Sequence, residues 1–141
     1  MGQQQLLLLV LGIVIVGLAV VVGIQAFGEN QKKANSDALV NDAVRIASDA
    51  QAWNLKPAAF GGGAGSFENI SFEQLGYEAT DGIYTNLNGQ FQLTEDSPTQ
   101  ITITGCDTQD NFDNMVTAEV SGTGPTDITT TVSSEACPIG G

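Results

Sequence analysis

Residues 6–24, LLLLVLGIVIVGLAVVVGI, make an unbroken apolar run with no charge and no proline. As a helix rising about 1.5 Å per residue, the run spans roughly 28 Å, close to the hydrocarbon thickness of a bilayer. Such a segment belongs in lipid or in a lipid-like core. A cleaved secretory signal fits it poorly. The apolar core is too long, no basic residue precedes it, and Gln25-Ala26-Phe27-Gly28 is not a small-residue cleavage site.

The flanks of the run conflict in sign. Residues 1–5, Met-Gly-Gln-Gln-Gln, carry no side-chain charge, so only Lys32 and Lys33 are left to orient a span. Taken alone, those lysines place the C-terminal part in the cytoplasm. The expectation that resolves the conflict is a basic leader that once preceded Met1 and was removed.

Beyond the run, apolar residues recur at Leu39, Ala43, Ile46, Ala50 and Trp53, widened by Val40, Val44 and Ala47. Alternating steps of four and three describe an amphipathic helix with one buried face, and Pro57 ends it. Gly28 alone does not separate this helix from the apolar run, since a helical glycine costs only about 1 kcal/mol. The expectation is one helix from near Gln3 to Leu55. Three segments follow: an apolar transmembrane or filament-core helix over 1–27, its amphipathic continuation over 28–56, and an acidic β-rich head over 57–141.

Charge divides the chain at the same place. Residues 1–56 hold all four basic side chains (Lys32, Lys33, Arg45, Lys56) and four acids, whereas residues 57–141 hold the other twelve acids and no base. A head of that sign repels phosphate and is not expected to bind nucleic acid. The chain has no histidine, which removes His-based triads and the usual acid/base group near neutrality. No enzyme is expected, and no cofactor. Cys106 and Cys137, the two cysteines, suggest one disulfide and an oxidising compartment; the alternative is two buried free thiols.

The head reads as an antiparallel sheet. Residues 56–66, rich in glycine, read as a flexible connection and lack the Gly-Lys-Ser/Thr of a phosphate loop. Residues 71–75 suggest a helical turn, and strands are expected over 83–86, 90–94, 100–104, 115–121 and 127–133. Asn88-Gly89 marks a hairpin, Asp96-Ser97-Pro98 the next turn and residues 122–125 the last. The pairs Ile101/Ile103, Val116/Val120 and Ile128/Val132 alternate with polar residues, giving one dry face on which the Leu39–Trp53 stripe can sit. The fold class is α+β, one helix laid across an antiparallel sheet. A Cys106–Cys137 bridge would close a loop holding the last two strands and stabilise by roughly 3–4 kcal/mol in the chain-entropy model.

An uncharged apolar N-terminus running into an amphipathic helix, then a β-rich domain with a C-terminal cysteine pair, resembles the mature type IV pilins and pseudopilins. The resemblance covers the whole chain as architecture and about the first 30 residues as residue pattern. It implies removal of a leader by a prepilin peptidase and N-methylation at Met1. It also implies assembly through Gln5, Leu6, Leu9, Ile13, Val16, Val20 and Ile24. Most such pilins carry a glutamate fifth from the mature N-terminus; Gln5 stands there in this chain and can hydrogen-bond an ammonium group without neutralising it. Assembly would then lean more on packing of the apolar run. Gly12, Gly17 and Gly23 are too widely spaced for a GxxxG face; close helix packing and local melting on assembly are the two readings. In pilins the C-terminal cysteine loop often governs adhesion or lateral contacts.

Two further candidate sites lie in the head. Asp107, Asp110 and Asp113, with Asn114, offer hard oxygen ligands suited to calcium, without the spacing of an EF-hand. Asn69-Ile70-Ser71 is a glycosylation sequon by pattern.

The expected function is that of a structural subunit of a type IV pilus-like filament, a helical homopolymer of identical subunits. It would be anchored in the inner membrane before assembly and extracellular afterwards, with the pilus assembly machinery and the peptidase as partners. A type II secretion pseudopilin and a single-span membrane protein displaying a small extracytoplasmic binding domain are the alternatives.

Overall fold

The computed structural model of the chain describes residues 2–108 and 113–139. A single α-helix, α1, runs over Gly2–Leu55, as the absence of any proline before Pro57 allows. Contacts divide the chain into two units, residues up to Ala34 and residues from Asn35 onward. The described residues of the first are all helical. Their large apolar side chains are exposed, and α1 is long and apolar enough to cross a membrane.

In the second unit the remainder of α1 packs on a six-stranded antiparallel sheet, the α+β arrangement expected. The strands are β1 (Ala79–Thr80), β2 (Ile83–Thr85), β3 (Gln90–Ser97), β4 (Gln100–Cys106), β5 (Met115–Val120) and β6 (Ile128–Ser133). They form a meander, each strand paired only with its sequence neighbours. Short connections favour this order, because hairpins bring successive strands side by side.

Leu39, Ala43, Ile46, Ala47, Ala50 and Trp53 are buried against Phe91 of β3, Ile101 and Ile103 of β4, and Val116, Ala118 and Val120 of β5. Alanine at three of these helix positions lets the helix backbone approach the sheet closely. Val44 faces away from this core, at 36% exposure. Val132 was expected on the dry face with Ile128, yet it is 52% exposed. It lies toward the end of β6, the edge strand, on which Ile128 is the hydrophobic residue packed against the core.

The turns differ from expectation in detail. Asp81-Gly82 joins β1 to β2 as a two-residue loop with both φ positive (53° and 78°), the geometry of a type I′ turn. The β2–β3 hairpin does form at Asn88-Gly89, but through a four-residue loop between paired Thr85 and Gln90. Gly89 is needed there for space. A Cβ on it would lie 2.1 Å from the Cys106 carbonyl oxygen and 2.6 Å from Leu39 Cδ2. The β3–β4 turn is Pro98-Thr99, one step later than expected, because Asp96 is the extra residue of a bulge between Glu95 and Ser97. Residues 71–75 form a turn whose Leu75 N–H donates to the Phe72 and Ser71 carbonyls at 3.1 and 3.3 Å.

The glycine-rich connection after α1 is well defined. A 3₁₀ turn covers Ala58–Phe60, and Gly63 N–H donates to the Trp53 carbonyl at 2.9 Å. A Cβ on Gly63 would meet the Ser66 carbonyl at 2.0 Å and the Trp53 ring at 2.6 Å, so only glycine lets this segment fold back on the helix end.

Candidate functional site

The first unit presents the residues implied in assembly. Gln5, Leu6, Leu9, Ile13, Val16, Val20 and Ile24 are all exposed, and the side chains between them are no better covered. Large exposed apolar patches on soluble monomers rarely exceed a few hundred Å², so a helix apolar on every side demands lipid or protein around it. Gly12, Gly17 and Gly23 have open space where a Cβ would stand. Met1 lies outside the described residues.

The second unit is fastened to its helix by polar contacts at both ends. At one end Asn35 Nδ2 donates to the Asn88 carbonyl at 3.2 Å, and Asn114 Nδ2 donates to Asn35 Oδ1 at 3.2 Å. Asp42 Oδ2 accepts from Asn86 Nδ2 at 2.9 Å and from Asn88 Nδ2 at 2.7 Å. At the other end Gln51 Nε2 donates to the carbonyls of Gly122 and Gly124 at 2.9 and 3.0 Å. Between them the Tyr77 hydroxyl donates to Asp49 Oδ2 and accepts from Arg45 Nε at 3.3 Å. Burial, with the hydrogen bond to Asp49, raises the Tyr77 hydroxyl above its ordinary pKa of 10.0. The exposed Arg45 guanidinium is raised chiefly by its hydrogen bond to Tyr77.

Tyr77 belongs to an aromatic cluster that the sequence reading did not foresee. Phe72, Tyr77, Tyr84 and Phe91 follow one another with ring centroids 4.8–6.1 Å apart. Phe67 and Phe72, from the segment before β1, are buried in the core beside the helix. Beside Tyr77's partner Asp49, a cleft of about 240 Å³ is lined by Asp49, Trp53, Lys56 and Gln74.

Cys106 and Cys137 are bonded, with Cα atoms 5.6 Å apart. The bridge ties the end of β4 to the segment after β6, and Ile139 beyond it is buried. Of the calcium candidates, Asp107 is half-buried and its N–H donates to the Asn114 carbonyl at 3.2 Å, while Asp113 is exposed. Asp110 lies outside the described residues. Among the described residues no three carboxylate or cysteine side chains stand together as a metal would need. Asn69 is exposed with φ 62°, and its N–H donates to Glu95 Oε2 at 3.0 Å.

Two kinds of feature thus dominate the surface: an uncovered apolar helix and an acidic sheet domain. No family model, curated protein or solved structure matches this chain.

Proposed function

We propose that this chain is a structural subunit of a type IV pilus-like extracellular filament, polymerising through the apolar part of α1. The observation that carries the reading is that residues 6–24 are apolar and uncovered on all sides, while the same helix continues into the core of an acidic α+β head. The apolar part rests in the inner membrane before assembly and is buried among its equivalents in the polymer afterwards. A screw operation joins identical copies through heterologous contacts that need not close, which is what a filament requires. The chain does no chemistry in this reading, and it holds no cofactor. The assembly machinery and a prepilin peptidase act on it, with Met1 as the methylated terminus.

The test is to shear expressing cells and measure the N-terminal peptide mass in the released fraction. A peptide starting at N-methyl-Met1 in that fraction is expected. The same peptide confined to the membrane pellet would replace the surface filament with a pseudopilin. An unmethylated, formylated Met1 in the membrane would leave only an anchored single-span protein.

A further inference from the structure

Of the nine asparagines in the chain, Asn69 is the one that opens an Asn-X-Ser/Thr triplet in which X is not proline. The fold sets it apart as well. Asn35, Asn86, Asn88 and Asn114 engage their side chains in hydrogen bonds within the second unit, and Asn54 is buried. Asn69 is exposed, and among the described residues its side-chain amide takes no hydrogen bond; its backbone N–H is the group held, by Glu95 Oε2.

The backbone beneath the side chain is fixed. Phe67 N–H donates to the Pro98 carbonyl at 2.7 Å, and Ile70 N–H closes a turn on the Phe67 carbonyl at 3.2 Å. Phe67, Ile70 and Phe72 are buried, so the turn is anchored on both sides of Asn69 while its amide faces water. Ser71 is half-buried, and its hydroxyl is likewise without a hydrogen-bond partner among the described residues. The left-handed φ of 62° accounts for asparagine at position 69, since Asn, Asp and Gly adopt that conformation most readily. It does not account for a serine two residues on.

Two further observations fit a glycan at this place. A glycan is bulky and hydrophilic and has to leave the fold toward solvent, which the exposed amide permits. The Cys106–Cys137 bridge belongs to the same unit, and a disulfide persists in the oxidising compartments where Asn-X-Ser/Thr triplets serve as acceptors.

We propose that Asn69 is an N-glycosylation site whose donor is a polyprenyl-phosphate-linked oligosaccharide. The side-chain nitrogen of Asn69 attacks C1 of the first sugar. The N–C1 bond forms, the bond from C1 to the phosphate oxygen breaks, and the lipid phosphate leaves with that electron pair. The amide gives up one proton to a base of the transferase, which reads the hydroxyl of Ser71. The site requires the second unit to stand outside the cytoplasm, a condition that the proposed filament shares, and it does not require polymerisation.

The test is mass spectrometry of the full-length chain, isolated from the cells that make it and digested without reduction. The peptide carrying Asn69 should gain the mass of whole sugar residues, with fragmentation placing them on Asn69. Asn69→Asp, which tolerates the left-handed turn, and Ser71→Ala should each lose the sugar entirely, whereas Ser71→Thr should keep it. Each variant should still yield the linked Cys106–Cys137 peptides, which separates loss of sugar from loss of fold. A parent peptide found only bare would overturn the site, and sugar that survives Ser71→Ala would overturn recognition of the triplet. Sugar on a chain confined to the membrane pellet would uphold the site and sink the surface filament. Bare Asn69 in sheared filaments would do the reverse.

Discussion

Asp42 Oδ2 and Asn88 Nδ2 lie 2.7 Å apart, joining the helix to the loop before β3 across 46 residues of sequence. The same oxygen accepts from Asn86, so one carboxylate holds the whole hairpin tip. Charged acceptors make stronger hydrogen bonds than neutral ones, and Asp42 is only half exposed. Asp42→Ala should cost about 2 kcal/mol and leave two amides to find water. Urea unfolding of the full-length chain in detergent would measure it; a loss below about 0.5 kcal/mol would mean the node is ornamental.

Gly89→Ala should be worse. The added Cβ would strike both the Cys106 backbone oxygen and Leu39. A side chain can move and a paired strand cannot, so Leu39→Ala in the same chain should bring no recovery. We expect a loss of about 2–4 kcal/mol, in the range of overpacked cores and broken ladders. Recovery in the double variant would place the clash on Leu39 alone.

Stability should fall at alkaline pH through Tyr77. Its proton is held more tightly in the folded chain, by burial first and then by Asp49. The contribution is full below the unfolded value of 10.0 and is lost as pH rises through the raised folded value. Unfolding midpoints recorded from pH 9 upward should therefore decline less steeply for Tyr77→Phe than for the parent chain. Parallel slopes would remove Tyr77 from the cause.

Filaments should loosen when salt is withdrawn. A net charge of −12 per chain is screened beyond about 8 Å at physiological ionic strength but reaches about 30 Å at 0.01 M. Sheared material should sediment more slowly after dialysis to low salt and recover when salt returns. Sedimentation unchanged by desalting and chelation would count against repulsion between heads.

Much of the fold is legible because it rests on periodicity. The steps from Leu39 to Trp53 name the buried helix face, and the alternation at Ile101/Ile103 and Val116/Val120 names the dry face of the sheet. Five of the six strands overlap the segments expected. The missed strand, β1, and its turn into β2 had a signal in Asp81-Gly82, a dipeptide suited to a two-residue turn. At two residues, β1 is too short to show a period. Val132 misled because alternation reports which face a residue takes, not whether anything covers that face at an edge.

The sequence by itself determined the apolar run, the single helix, the concentration of acid after residue 56, and the helix stripe and alternating Ile and Val positions that supply part of the core. Those follow from hydropathy, charge and local geometry, which neighbours along the chain decide. Tertiary structure alone decided that Asp42 holds Asn86 and Asn88, that Tyr77 joins Asp49 to Arg45, and that Gly89 must lack a side chain. Each depends on atoms brought within about 3 Å from positions 28 to 46 residues apart in the hydrogen-bonded cases. Only the packing of helix on sheet sets such distances.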